Sequence, residues 1–192
     1  MRSDAKENYQ HLLVTARAVV AEEGANASMR DIARKAGVGP ATLFRHFPTR
    51  DSLLDALLRN SLEELTEKAN TEESESSADD ALVAWLREAV AFVRIYSGVV
   101  NLMATALADT TSALHTSCAN LRSAGTRLLT RAQEVGTADR SMTGNDMFAL
   151  IGALGWIGDQ AAYSARSDYL FNVIASAMLI DRPNRALETR TS

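Results

Sequence analysis

The chain has 192 residues, 46% of them hydrophobic, and a net charge of −4, with only three prolines and ten glycines. This is enough apolar material for a core in one ordinary domain, or in a small domain beside a larger one, and the lack of convincing period-two alternation excludes a β-rich fold and predicts an all-α protein. A lone Cys118 excludes an intramolecular disulfide, a polar first ten residues speak against a secretory signal, and the longest apolar stretch, residues 147–158, is too short for a bilayer, so a cytoplasmic protein with no membrane partner is expected.

Residues 4–23 read as the first helix, with Leu12, Leu13, Ala16, Val19 and Val20 on one face and Gly24 at its end. Ser28 and Asp31 then have the spacing that opens a second helix, a side-chain oxygen for orphan N–H groups and a carboxylate at the positive end. Ile32, Ala33 and Ala36 give it a short apolar face. Gly37 supplies the permissive backbone needed just past a helix end, and Val38 plugs the gap between two crossing helices. Pro40 suits the first position of a third helix, where its missing N–H costs nothing, and Pro48 closes that helix after two turns. Two short helices joined by a tight glycine turn make a helix-turn-helix.

At about 100° per residue, Leu43 and Phe47 of the third helix share a core-facing side. Ala41, Thr42 and Arg45 fall opposite, with Phe44 and His46 on the flanks. Small residues beside one arginine suit the major groove, where Arg45 offers a bidentate pair to guanine, while Thr42 and His46 are better placed for phosphate oxygens. Between residues 28 and 50, Arg30, Arg34, Lys35, Arg45 and Arg50 stand against Asp31 alone, a local net charge of +4 in an acidic chain. Local field, not total charge, sets phosphate affinity.

The run Asp31-Ile32-Ala33-Arg34-Lys35-Ala36-Gly37-Val38-Gly39, followed by Thr42-Leu43-Phe44-Arg45-His46-Phe47 and Leu53, resembles the signature of the tetracycline-repressor (TetR) family. It fixes about ten positions at set spacing and covers roughly residues 8–58; the remainder matches in length and helical character. The resemblance implies an N-terminal three-helix head, residues 1–50, that binds double-stranded operator DNA, and a larger helical body, residues 51–192, that dimerises and binds an inducer. Carried over by motif position, the DNA contacts are Ser28, Arg30, Gly39, Pro40, Ala41, Thr42, Phe44, His46 and Arg50, to which the helix angle adds Arg45. Where Gly39 stands the family often has Ser, and where Phe44 stands it often has Tyr. Each departure removes about one hydrogen bond's worth of DNA affinity.

Thr49 caps a fourth helix carrying Leu53, Leu54, Leu57, Leu58, Leu62 and Leu65, which runs out of the head into the body. Residues 72–80, rich in Glu, Ser and Asp, read as a solvated loop. Helical spacing resumes near Ala81 with Leu82, Trp85, Leu86, Ala89, Phe92, Val93 and Tyr96. A shorter helix is expected over residues 99–108 and another over residues 112–134, broken near Gly136. Residues 143–165 and 167–180 are the most apolar, and Gly152, Gly155 and Gly158 form a stripe that close packing would justify. Two apolar C-terminal helices suit a symmetric four-helix homodimer interface, as the resemblance also implies, or an internal core.

No nucleophile elbow, phosphate-cradling glycine loop or paired-carboxylate motif is present, so no enzyme and no cofactor are expected. His115 and Cys118 share a helix face but lack the further ligands a zinc site needs, and no metal is expected. Large side chains from several helices, Trp85, Phe92, Tyr96, Met103, Leu107, Leu121, Phe148 and Trp156, are the candidate lining of a small-molecule pocket, or simply core. Asp109, His115, Cys118 and Asp159 are possible polar contacts to that ligand. Two functions remain open at this level: a dimeric, ligand-responsive DNA-binding regulator, most naturally a repressor at a palindromic operator, or a helical small-molecule-binding or interaction protein whose head no longer binds DNA.

Overall fold

The computed structural model describes residues 2–23, 27–96, 108–110, 112 and 114–180. Its helices are α1 (Arg2–Glu23), α2 (Met29–Lys35), α3 (Pro40–His46), α4 (Arg50–Glu75), α5 (Ala78–Ile95), α6 (His115–Glu134), α7 (Gly144–Asp159) and α8 (Ser167–Met178), with a 3-10 turn over Ser164–Arg166. The expected all-α fold, a helix-turn-helix followed by a helical body, is observed. Most of the helix expected over residues 99–108 lies outside the described residues, as do Met103 and Leu107. No helix among the described residues is long and apolar enough to cross a membrane.

The chain divides into two compact units, Met1–Glu64 with Ala91–Ala119, and Leu65–Val90 with Asn120–Ser192. In the first unit, Leu12, Leu13, Ala16, Val19 and Val20 of α1 are buried, as are Ile32 and Ala33 of α2, Leu43 of α3, and Leu53, Leu57 and Leu58 of α4. The apolar positions predicted for α1 are therefore its core face. His11 Nε2 lies 3.2 Å from the carbonyl oxygen of Ala36, which ties α1 to the end of α2. Thr49 opens α4 reciprocally with Ser52: the Ser52 N–H donates to Thr49 Oγ1 at 3.0 Å, and the Thr49 N–H donates to Ser52 Oγ at 3.1 Å. This pairing satisfies donors that a helix start leaves free.

In the second unit the core is built on Trp85, Leu82, Leu128, Leu129 and Met147, all fully buried. The Trp85 indole N–H donates to the Leu65 carbonyl at 2.9 Å, and its ring meets Phe148 edge-on with centroids 5.9 Å apart. Gly125 of α6 makes room for that indole: a methyl group there would come within 2.8 Å of Trp85 Cζ3 and 3.1 Å of Phe148 Cζ. Gly136, at φ 78°, turns the chain out of α6. An antiparallel bridge between Ala138 and Leu179 then ties that turn to the residue after α8.

Two sequence expectations are corrected. Residues 72–80 are not a loop, because α4 continues to Glu75 and α5 starts at Ala78. The polar residues also bond locally: Ser76 Oγ donates to Glu72 at 2.7 Å, and Ser77 Oγ lies 2.8 Å from a carboxylate oxygen of each of Asp79 and Asp80. Asp79 and Asp80 also complement the positive end of α5. The last two helices are shorter than expected. α7 stops at Asp159, where Gln160 turns extended, and α8 stops at Met178, because the Ile180 N–H is bonded to the Thr137 carbonyl at 3.1 Å.

Candidate nucleic-acid interface

The turn between α2 and α3 follows from its residues. Gly37 adopts φ 67°, a left-handed conformation that side-chain-bearing residues rarely take, and the Val38 N–H closes the end of α2 on the Ala33 carbonyl at 3.0 Å. Gly39 is the N-cap of α3, and Pro40 is in its first turn. Ser28 does hold the N-cap position of α2, but its side chain makes no cap bond to the backbone. Its hydroxyl is engaged by Asp31 instead. The Arg34 guanidinium, 2.9 Å from Asp31, is the main cause that holds this carboxyl below its usual range, and the Ser28 hydroxyl adds to it.

Leu43 and Phe47 anchor α3 at 0% and 2% exposure. Ala41, Arg45 and Phe44 are exposed, and Thr42 and His46 are half-buried. The Phe44 ring, 43% exposed, is a large apolar group facing water. The His46 ring is held edge-on to Tyr9 of α1, with centroids 6.0 Å apart, and Tyr9 also packs on Phe47 at 5.3 Å. Sequence reading missed Tyr9 because nothing local marks a contact reaching from α1 to the end of α3.

The five cations of the head separate into two groups. Arg34 is paired with Asp31, and Lys35 with Glu22 at 3.0 Å. Arg30, Arg45 and Arg50 have no hydrogen-bond or ion-pair partner among the described residues. These three are the arginines in the expected DNA-contact set, and the two neutralised cations are outside it.

Residues 12–57 match the family described as bacterial regulatory proteins, tetR family, and residues 77–178 match the C-terminal domain of SbtR-like transcriptional regulators. The chain belongs to the TetR family. HTH-type transcriptional regulators of Staphylococcus aureus are 41% identical over 64 residues, which cover 33% of this chain and 35% of theirs. The matched segment thus spans about a third of the length of these relatives. A TetR transcriptional regulator from Streptomyces coelicolor superposes with a TM-score of 0.72 at 28% identity, over 88% of this chain and 97% of that one. A TetR transcription regulatory protein from Mycobacterium vanbaalenii does so with 0.66 at 26% identity, over 93% and 99%. The protein is a TetR-family DNA-binding transcriptional regulator, and this is not a family of enzymes.

In the body of the regulator, the expected pocket residues fall into two groups. Phe92 and Tyr96 are buried in the first unit with ring centroids 5.1 Å apart, and the Tyr96 hydroxyl is 3.0 Å from that of Ser61. Burial raises the Tyr96 phenol above its ordinary value, a shift the Ser61 hydrogen bond partly offsets. Trp85, Leu121 and Phe148 belong to the second unit. Trp156 departs from its expected place and is 62% exposed. On α7 the inward side carries Met147, Ile151, Leu154 and Gly158, and Trp156 lies about 200° around the helix from Leu154. Of the possible polar contacts, Cys118 is buried, His115 is half-buried, and Asp109 and Asp159 are exposed. No group of His, Cys, Asp or Glu among the described residues is arranged to hold a metal ion.

Proposed function

We propose that this regulator is a homodimeric repressor whose paired heads read a palindromic operator and are released by a small hydrophobic ligand. The observation that carries the reading is the set of unpaired guanidiniums at Arg30, Arg45 and Arg50, beside neutralised Arg34 and Lys35. A solvated, unpartnered arginine keeps its full charge and hydrogen-bonding fork for a phosphate or a guanine edge. In this reading residues 1–50 are the reading head. Ser28, Arg30, Gly39, Pro40, Thr42, Phe44, His46 and Arg50 hold the backbone, and Ala41 and Arg45 face base edges.

Residues 51–192 form the ligand-binding and dimerisation body. Trp156, Tyr169 and Val173, at 62%, 56% and 46% exposure, put large apolar groups on the outer faces of α7 and α8, and a second copy of the chain is the occupant we assign to them. Phe92 and Tyr96, buried in the first unit, and the buried Trp85 with the half-buried Phe148, in the second, are each candidate ligand contacts within their own unit. Helix α4 leads from the head into the body and is the covalent route for coupling. Releasing DNA about 100-fold needs roughly 2.7 kcal/mol of differential ligand binding between two conformations. A protein that binds the chromosome works in the cytoplasm.

Selection of bound sequences from a random DNA pool by the full chain tests this, with light scattering on the same sample. A palindromic motif bound by two chains is expected. A chain that is monomeric at micromolar concentration, or a pool that shows no enrichment, would contradict it and favour a small-molecule-binding protein with an inactive head.

A further inference from the structure

Helix α6 carries a polar stripe on the side away from its buried leucines. Ser123, Thr126, Arg127, Thr130, Arg131 and Glu134 recur at three- and four-residue steps and line an open groove of about 620 Å³, together with Glu73 of α4 and Arg122 and Asn145. All these residues belong to one unit. Three guanidiniums against two carboxylates leave the groove cationic.

Each arginine is held in place. Arg122 donates to Asn145 and stacks over the Phe148 ring, 4.9 Å from its centroid. Arg127 donates to Asn70 at 2.7 Å and reaches Glu73 at 3.4 Å. Arg131 donates through Nη2 to the Ser76 carbonyl just past α4, at 2.9 Å, while its buried Nη1 has no acceptor among the described residues. A buried charged donor without an acceptor is rare in folded proteins, and its uncompensated charge adds to the positive field of the groove beside it. Immobilised guanidiniums also lose little freedom when they bind a planar or tetrahedral oxyanion.

We propose that this groove is a binding site for a small oxyanion, a phosphate- or carboxylate-bearing metabolite, held by Arg127 and Arg131 with the Thr126 and Thr130 hydroxyls as neutral donors. Its volume suits a ligand larger than a bare ion. It adjoins Phe148 through Arg122, but it does not rest on the assignment of that ring to a hydrophobic ligand. Glu134 and Glu73 would disfavour a highly charged polyanion such as DNA, which sets this site apart from the head.

The test is titration calorimetry of the full chain with inorganic phosphate and with citrate, at constant ionic strength. One-to-one binding of either is expected, and whichever binds more tightly tells phosphate from carboxylate chemistry. Arg127→Gln should weaken that binding about tenfold, through loss of a charge-assisted contact. Glu134→Gln should strengthen it by about threefold by removing a like charge. Arg131→Lys keeps the charge but not the fork and should also weaken it. Because Arg131 also bonds the chain just past α4, the Arg127 and Glu134 variants decide the matter if this one unfolds. Arg45→Ala, on the head, should change nothing. No binding up to about 50 mM, a Kd too weak to matter, would overturn the proposal. So would binding that is indifferent to Arg127 and Glu134, or binding lost with Arg45→Ala.

Discussion

The helix-turn-helix and the second unit use the same residue, arginine, in different ways. In the second unit Arg87 bonds Asn172 and lies 4.2 Å over the Phe171 ring, Arg166 lies over Tyr169, and Arg122, Arg127 and Arg131 all have fixed partners. In the head Arg30, Arg45 and Arg50 have none among the described residues. A cation with a partner in its own chain is fixed in place with part of its hydrogen-bonding fork already used. One without a partner keeps the whole fork for something else. Within the head the same distinction holds residue by residue, since Arg34 and Lys35 sit in the same motif and are already engaged. Count of charge therefore overstates the binding surface, and partner status refines it.

The comparison can be broken most severely on the body's side. Trp85→Ala should cost about 3–5 kcal/mol of stability in urea denaturation, because it empties the centre of the second unit and strands the Leu65 carbonyl. Gly125→Ala, a single methyl group against the same indole, should cost about 1–3 kcal/mol by overpacking. A tolerated Gly125→Ala would mean that the indole has room to move.

On the head's side, Arg45→Ala should cost about 1–3 kcal/mol of binding at one base position per half-site and relax preference there. Equal loss on every DNA sequence would instead put Arg45 on a phosphate.

The cap of α7 gives a smaller and pH-dependent effect. Thr143 Oγ1 accepts from the Asp146 N–H at 3.2 Å, and the Asp146 carboxylate accepts from the Thr143 hydroxyl and N–H. These bonds, the hydroxyl's first, hold the Asp146 carboxyl below its ordinary value. A depressed carboxyl stabilises the fold above its unfolded value, near pH 4, and that contribution is lost as pH falls through the lower folded value. Thr143→Ala should cost about 1 kcal/mol at neutral pH and shrink the loss seen on acidification, as followed by thermal melts between pH 2 and pH 6. The smallest effect is expected from Gly39→Ser. Gly39 is extended, and a side chain there meets nothing within 4 Å, so the substitution restores a capping hydroxyl and should add a few tenths of a kcal/mol. The same hydroxyl should tighten DNA binding slightly.

Much of the head is legible in its sequence because its signals are local. Gly37 at a positive φ, Pro40 in the first turn of α3, and Leu43 and Phe47 on one face all follow from spacing within a few residues. What spacing could not show was partnership: Lys35 meets Glu22 and His46 meets Tyr9 across many residues of chain. In the body, periodicity identified buried residues such as Leu82, Trp85 and Leu86, but not what they meet. The Glu/Ser/Asp run at 72–80 reads as a loop by composition and is mostly helix because its side chains bond one another. Gly125 gave no signal, since only its neighbour across the core makes it necessary.

The account turns on which cations of the head meet DNA, and salt reads that directly. The logarithm of affinity for operator DNA falls with the logarithm of salt concentration, with a slope that counts neutralised phosphates at about 0.9 each. Arg30→Gln and Arg50→Gln should each lower the magnitude of that slope by about one, whereas Arg34→Gln, whose charge is already paired with Asp31, should leave it within error of the parent protein. Equal slope changes for all three variants, or a larger one for Arg34→Gln, would contradict the account.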